Sequence, residues 1–103
     1  MKKARTFEGI IPLFDLKFEV SLGVGEIESD GGECDGQTVL ETDGVIRIGF
    51  AEKEPSPDLI AHECLHAVQF AEKRIETQFD SETAAYLLGW LVSFVWEKIA
   101  PAV

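Results

Sequence analysis

Both histidines of this 103-residue chain fall within five consecutive residues, His62-Glu63-Cys64-Leu65-His66. On a helix, positions i and i+4 project from one face, so the two imidazoles can bind one cation. Zinc suits such a pair: it takes neutral imidazole nitrogens at about 2.0–2.1 Å, and a catalytic zinc keeps three protein ligands and one open position. Glu63 lies about 100° round the helix from His62. That is off the ligand line but within reach of a water on the metal, where a carboxylate serves as general base. The chemistry these residue types imply is metal-assisted hydrolysis.

A helix must hold this pattern, and the flanking residues supply one. Ser56-Pro57 reads as a start, with Ser56 as cap and Pro57 at the first helical position. Asp58 suits the positive end of the helix dipole, and Lys73-Arg74 suit the negative end. Between them Ile60, Cys64, Ala67, Val68 and Ala71 form an apolar side, while His62, His66, Gln69 and Lys73 form a polar one. The histidines therefore border a cleft or solvent rather than the centre of a core.

A second helix, capped by Asp80-Ser81, is predicted to run to about Lys98, before Pro101. It offers a third metal ligand in Glu82, in its first turn. Glu72, Glu76 and Asp80 are the rivals. The first two lie on or just beyond the histidine helix, where reaching back is awkward, and Asp80 serves better as a cap. Glu82, Tyr86, Gly89 and Ser93 share one face of this helix, and Leu88, Leu91, Val92, Val95 and Ile99 a broad apolar side. Gly in a helix interior costs about 1 kcal/mol against Ala. Close approach of the histidine helix would be a reason for Gly89.

Before Pro55 the hydrophobic period is two rather than 3.6. Residues 5–23 read as one or two strands, with Pro12 marking an edge or a break. Residues 25–37 form a turn-rich acidic loop, and residues 38–52 a hairpin turning at Asp43-Gly44. Strands first and helices second predict one α+β domain over residues 1–103, a small, mostly antiparallel sheet followed by two packed helices. Residues 1–54 form the strand-rich half and 55–103 the helical half.

With 46% hydrophobic residues the chain is globular, and a formal net charge of −10 disfavours nucleic acid and anionic lipid as partners. Lys2, Lys3 and Arg5 are the only clustered basic residues. Two cysteines, Cys34 and Cys64, do not make a secreted disulfide framework, and both are expected to be reduced. Glu8, Pro12 and Asp15 interrupt the apolar run that a signal peptide needs, and no stretch reaches the ~20 apolar residues of a membrane span. The expected location is the cytoplasm. Oligomeric state is open.

Residues 45–99 resemble the catalytic core of a zincin metallopeptidase in its gluzincin form: a strand, an H-E-x-x-H helix, then a helix bearing a glutamate. The metzincin pattern H-E-x-x-H-x-x-G-x-x-H does not fit, because Gln69 and Glu72 stand at its Gly and His positions. The ending SETAAYLLGWLVSFVWEKI is similar to that of small zincin-like proteins of phages and prophages. The resemblance implies zinc on His62, His66 and Glu82, with Glu63 as base in peptide-bond hydrolysis. It also implies a sheet-edge strand that receives an extended peptide by β-augmentation, matched here by residues 45–52. Tyr86, one turn after Glu82, is placed either to hydrogen-bond the oxyanion or to serve as an amphipathic tyrosine at a helix interface. Gluzincins have a substantial part after the glutamate helix, and here little follows it. The site would then be wide, weakly selective, or blocked by the chain itself, with the acidic loop 26–35 and the N-terminal strand as covers and Cys34 as a further candidate, a thiolate cap. Three readings follow: a zinc peptidase acting on a peptide or protein, an inactive zincin-like protein that binds zinc and a partner protein, and an α+β domain with two incidental histidines.

Overall fold

The computed structural model describes residues 4–29 and 32–99. Lys2 and Lys3 of the basic start, Asp30-Gly31 of the acidic loop and Pro101 lie outside the described residues. Arg5–Ile11 (β1) and Leu16–Leu22 (β2) form an antiparallel hairpin. Pro12 sits in its turn, so the proline is a break between two strands. Leu13 and Asp15 there adopt left-handed φ values of 76° and 53°. Within the acidic loop, Ile27–Ser29 (β3) and Gly32–Cys34 (β4) form a short antiparallel ribbon that the turn-rich sequence had hidden.

Gly36–Leu40 (β5) and Ile46–Phe50 (β6) form the expected hairpin. Its turn differs from the two-residue expectation. The Glu41 amide donates to the Val45 carbonyl at 3.0 Å and the Gly44 amide to the Glu41 carbonyl at 2.9 Å, and only Gly44 has positive φ, +86°. That is a three-residue loop, a tight turn followed by one left-handed residue. Asp43 instead accepts from the Val45 amide at 2.9 Å and pairs with Arg47 at 3.1 Å.

The main sheet runs β1-β2-β6-β5, with β6 parallel to β2 and the other two pairings antiparallel. The strand at residues 45–52 is therefore interior, which corrects its expected place at the edge. Its inward residues Ile46, Ile48 and Phe50 are all essentially inaccessible beneath the helices. The less apolar β5, GQTVL, takes the edge.

Pro57–Ile75 (α1) and Ser81–Ile99 (α2) cover one face of this sheet. Ser56 caps α1, its hydroxyl accepting from the Leu59 amide at 3.4 Å, and Glu76 ends it in the left-handed conformation. Asp80 caps α2, its carboxylate accepting from the Thr83 amide at 2.7 Å. Inward residues Ile11, Phe18, Val20, Leu22, Ile46, Ile48 and Phe50 meet Ile60, Cys64, Ala67, Val68 and Ala71 of α1 and Leu87, Leu91, Val95 and Ile99 of α2 in one continuous core. Each large side chain so buried stabilises the fold by about 1.5–3 kcal/mol. α1 packs on β5 and β6, and α2 reaches β1. Phe18 meets the edges of Trp90 and Phe94, ring centroids 5.8 and 4.8 Å away.

Gly89 does not mark a close helix contact. A Cβ there would meet nothing within 4 Å. It lies on the outward side of α2, because Leu87, Leu91 and Val95 turn the opposite side to the core.

Candidate metal centre beside the sheet edge

The capped start of α1 sets its rotation, and rotation places the histidines. With Ile60, Cys64, Ala67 and Ala71 turned to the sheet, His62 and His66 emerge on the flank beside β5. Their Nε2 atoms converge to 3.2 Å, and His66 Nδ1 lies 3.2 Å from Gln69 Oε1. A tetrahedral zinc with ligand bonds of about 2.0–2.1 Å holds neighbouring nitrogens about 3.3 Å apart, so the pair fits two positions of such an ion. Gln69 is placed as the outer partner that orients a ligating ring.

Glu63 turns inward rather than to solvent. It is 5% exposed, the one buried charged side chain among the described residues. A buried carboxylate must be hydrogen-bonded, and Thr38 of β5 supplies the donor: its Oγ1 lies 2.7 Å from Glu63 Oε1 and 3.1 Å from the Glu63 carbonyl oxygen. Gly36, two residues earlier on the same strand face, leaves the room. A Cβ there would stand 3.0 Å from Glu63 Cγ and 3.2 Å from Oε2.

Gly36, Gln37 and Thr38 line a shallow open cavity with Cys34, His62, Glu63, His66 and Phe70. Among the described residues β5 has a strand neighbour on one side only. The Ala51 amide donates to the Asp35 carbonyl at 2.9 Å and the Glu41 amide to the Val45 carbonyl at 3.0 Å. Antiparallel alternation then gives Asp35, Gln37, Val39 and Glu41 the main-chain groups facing β6. Gly36, Thr38 and Leu40 turn theirs outward, beside the histidines.

The remaining sequence candidates are not brought to this point. Glu82 is exposed in the first turn of α2, and Tyr86 is 52% exposed one turn later; neither lines the cavity. The reason is the sheet order: α1 sits over β5 and β6, α2 lies towards β1, and the histidines leave α1 on the β5 side. Glu72 is occupied, its carboxylate accepting from the Phe79 amide at 2.7 Å, and Asp80 is the α2 cap. No set of three His, Cys, Asp or Glu side chains among the described residues is arranged to hold an ion.

Both cysteines are free. Burial, then the neighbouring Glu63 charge, pushes the Cys64 thiol up to about 12, so it behaves as a core residue. Cys34 is partly buried in the cavity wall. Thr38 and Gly36 were missed by reading motifs along the chain. The alternation of β5 puts residues 36, 38 and 40 on one face, but nothing local says that this face lies against residue 63. Comparison with known proteins finds no matching family model, no similar curated protein and no similar solved structure.

Proposed function

We propose that this chain is a zinc-dependent peptidase of the zincin type, with His62 and His66 as two metal ligands and Glu63 as the proton-handling carboxylate. The observation that carries the reading is the convergence of the two Nε2 atoms to 3.2 Å beside β5, the edge strand of the sheet among the described residues. Bound there, zinc would polarise the scissile carbonyl and acidify the attacking water. The chain's own residues do the rest. The outward main-chain groups of Gly36, Thr38 and Leu40 hold an extended peptide by β-augmentation. Thr38 steadies Glu63 through Oε1, leaving Oε2 to take up a proton from the cavity side. Glu82 and Tyr86, expected as third ligand and oxyanion donor, stay outside this arrangement, so His62 and His66 would supply two of the three protein ligands that a catalytic zinc keeps. The cytoplasm, where free thiols persist, is the place we assign to it.

One observation favours the second reading, a zinc-binding protein without turnover that holds a partner protein. The Glu63 carboxylate is tucked beneath β5. The two readings separate on Glu63→Gln: the peptidase loses cleavage and keeps zinc, whereas the binding protein keeps its partner and never cleaves.

The metal comes first. Zinc content of protein purified without a metal-affinity tag is expected to reach an ion per chain in the wild type. It should be lost in His66→Ala and kept in Glu82→Ala. Wild-type protein that takes up no zinc on titration would end both readings.

A further inference from the structure

The proposed cleft continues past His62 towards the start of α1. There Asp35, Asp58, Glu63 and His62 line one recess. Through the shared Cys34 and Asp35 it runs on into a second, lined also by Glu26 and Glu52. Among the described residues neither recess has a lysine or arginine in its wall. Glu26, Asp35, Glu52 and Asp58 are exposed and stand in no ion pair among the described residues. Of the positive side chains, Lys53 follows Glu52 and packs towards Gly23, while Lys73 and Arg74 close α1 at the other end of β5, Arg74 Nε 2.8 Å from where a Cβ of Gly44 would be. A strand added to β5 would thus pass a carboxylate-walled end at Gly36 and, near the β5–β6 turn, a mixed end where Lys73 and Arg74 stand with Glu41 and Asp43.

We infer that the β5 edge selects extended peptides carrying lysine or arginine where they pass Gly36. This deepens the peptidase reading and rests on β5 being the peptide-receiving edge. Two independent observations meet in it: outward main-chain hydrogen-bonding groups, which hold any extended chain, and carboxylates of one sign beside them, which discriminate among chains. Side chains on one face of an added strand recur every second residue, so a cationic chain can set a positive group against Asp35 or Asp58 without losing its ladder bonds.

The test is binding without turnover, in chelator and at low salt. Two fluorescein-labelled capped heptapeptides are compared, one of alternating lysine and threonine, the other with glutamate for lysine. The lysine peptide should bind and the glutamate peptide should not. Asp35→Asn combined with Asp58→Asn should weaken the lysine peptide about fivefold, as expected for exposed ion pairs. Glu8→Gln, on the opposite edge strand, should leave it unchanged. Amide hydrogen exchange should slow at Gly36, Thr38 and Leu40 when the peptide is bound. Equal affinity for the two peptides, no binding of either, or the same loss in Glu8→Gln would overturn the inference. Zinc content measured on the same preparations separates the two claims. Zinc without lysine selectivity removes the inference and leaves the metal reading standing. Lysine binding at β5 without zinc does the reverse.

Discussion

Thr38 Oγ1 lies 2.7 Å from Glu63 Oε1, joining the edge strand of the sheet to the acid between two histidines. The bond crosses 25 residues of sequence and is the only side-chain hydrogen bond to the Glu63 carboxylate among the described residues. A buried carboxylate that loses its donor keeps its full desolvation cost. Thr38→Val, close in shape and without the hydroxyl, is therefore expected to destabilise the fold by about 1.5–3 kcal/mol. Thr38→Ser should restore most of it. Urea unfolding of the three proteins decides; an unchanged midpoint in Thr38→Val would mean that the bond carries no weight.

Gly36 and Glu63 should be coupled. Gly36→Ala puts a Cβ 3.0 Å from Glu63 Cγ, tighter than ordinary packing, so the acid must move. The expected loss is about 1–3 kcal/mol, the usual range for overpacking. In a Glu63→Ala background the same substitution has nothing to strike and should cost much less. A double-mutant cycle measures this, and additive losses would show that the contact relaxes freely.

Gly89→Ala should stabilise the protein. An added Cβ meets open space, and α2 is uninterrupted there. The gain expected for an unstrained helix interior is about 0.5–1 kcal/mol. A loss in thermal unfolding would place something against that face of α2 in solution.

Asp80 gives the helix pair a pH signature. Hydrogen bonds from the Thr83 amide, then the Thr83 side chain, hold its carboxyl below the ordinary value of 3.8. A depressed pKa contributes stability that is present above the unfolded pKa and is lost as pH falls through the folded one. Asp80→Ala should therefore lower the Tm at neutral pH, and the difference from wild type should shrink as the pH drops below 3.8. A difference that stays constant down to acid pH would assign the effect to the cap's shape rather than its charge.

Much of this molecule is legible along the chain because the physics there is local. Ser56 and Asp80 mark helix starts by accepting from amides within one turn, and Pro57 does so by having no amide to satisfy. A period of two in residues 16–22 and 46–50 names strand faces, and a period of 3.6 from Ile60 to Ala71 names the core side of α1. The histidine pair needs only the helix, since i and i+4 share a flank wherever the helix lies. The α+β order follows from the same patterns. Tertiary structure alone decides what meets what. β6 pairs in parallel with β2 and moves inside, which leaves β5 at the edge and turns Gly36 and Thr38 onto Glu63. α2 lies towards β1, so Glu82 and Tyr86, well placed on a helical wheel, stand away from the histidines. Gly89, read as a contact, faces open space. Periodicity tells a side chain which way to point from its own element, but strand order determines what it finds there.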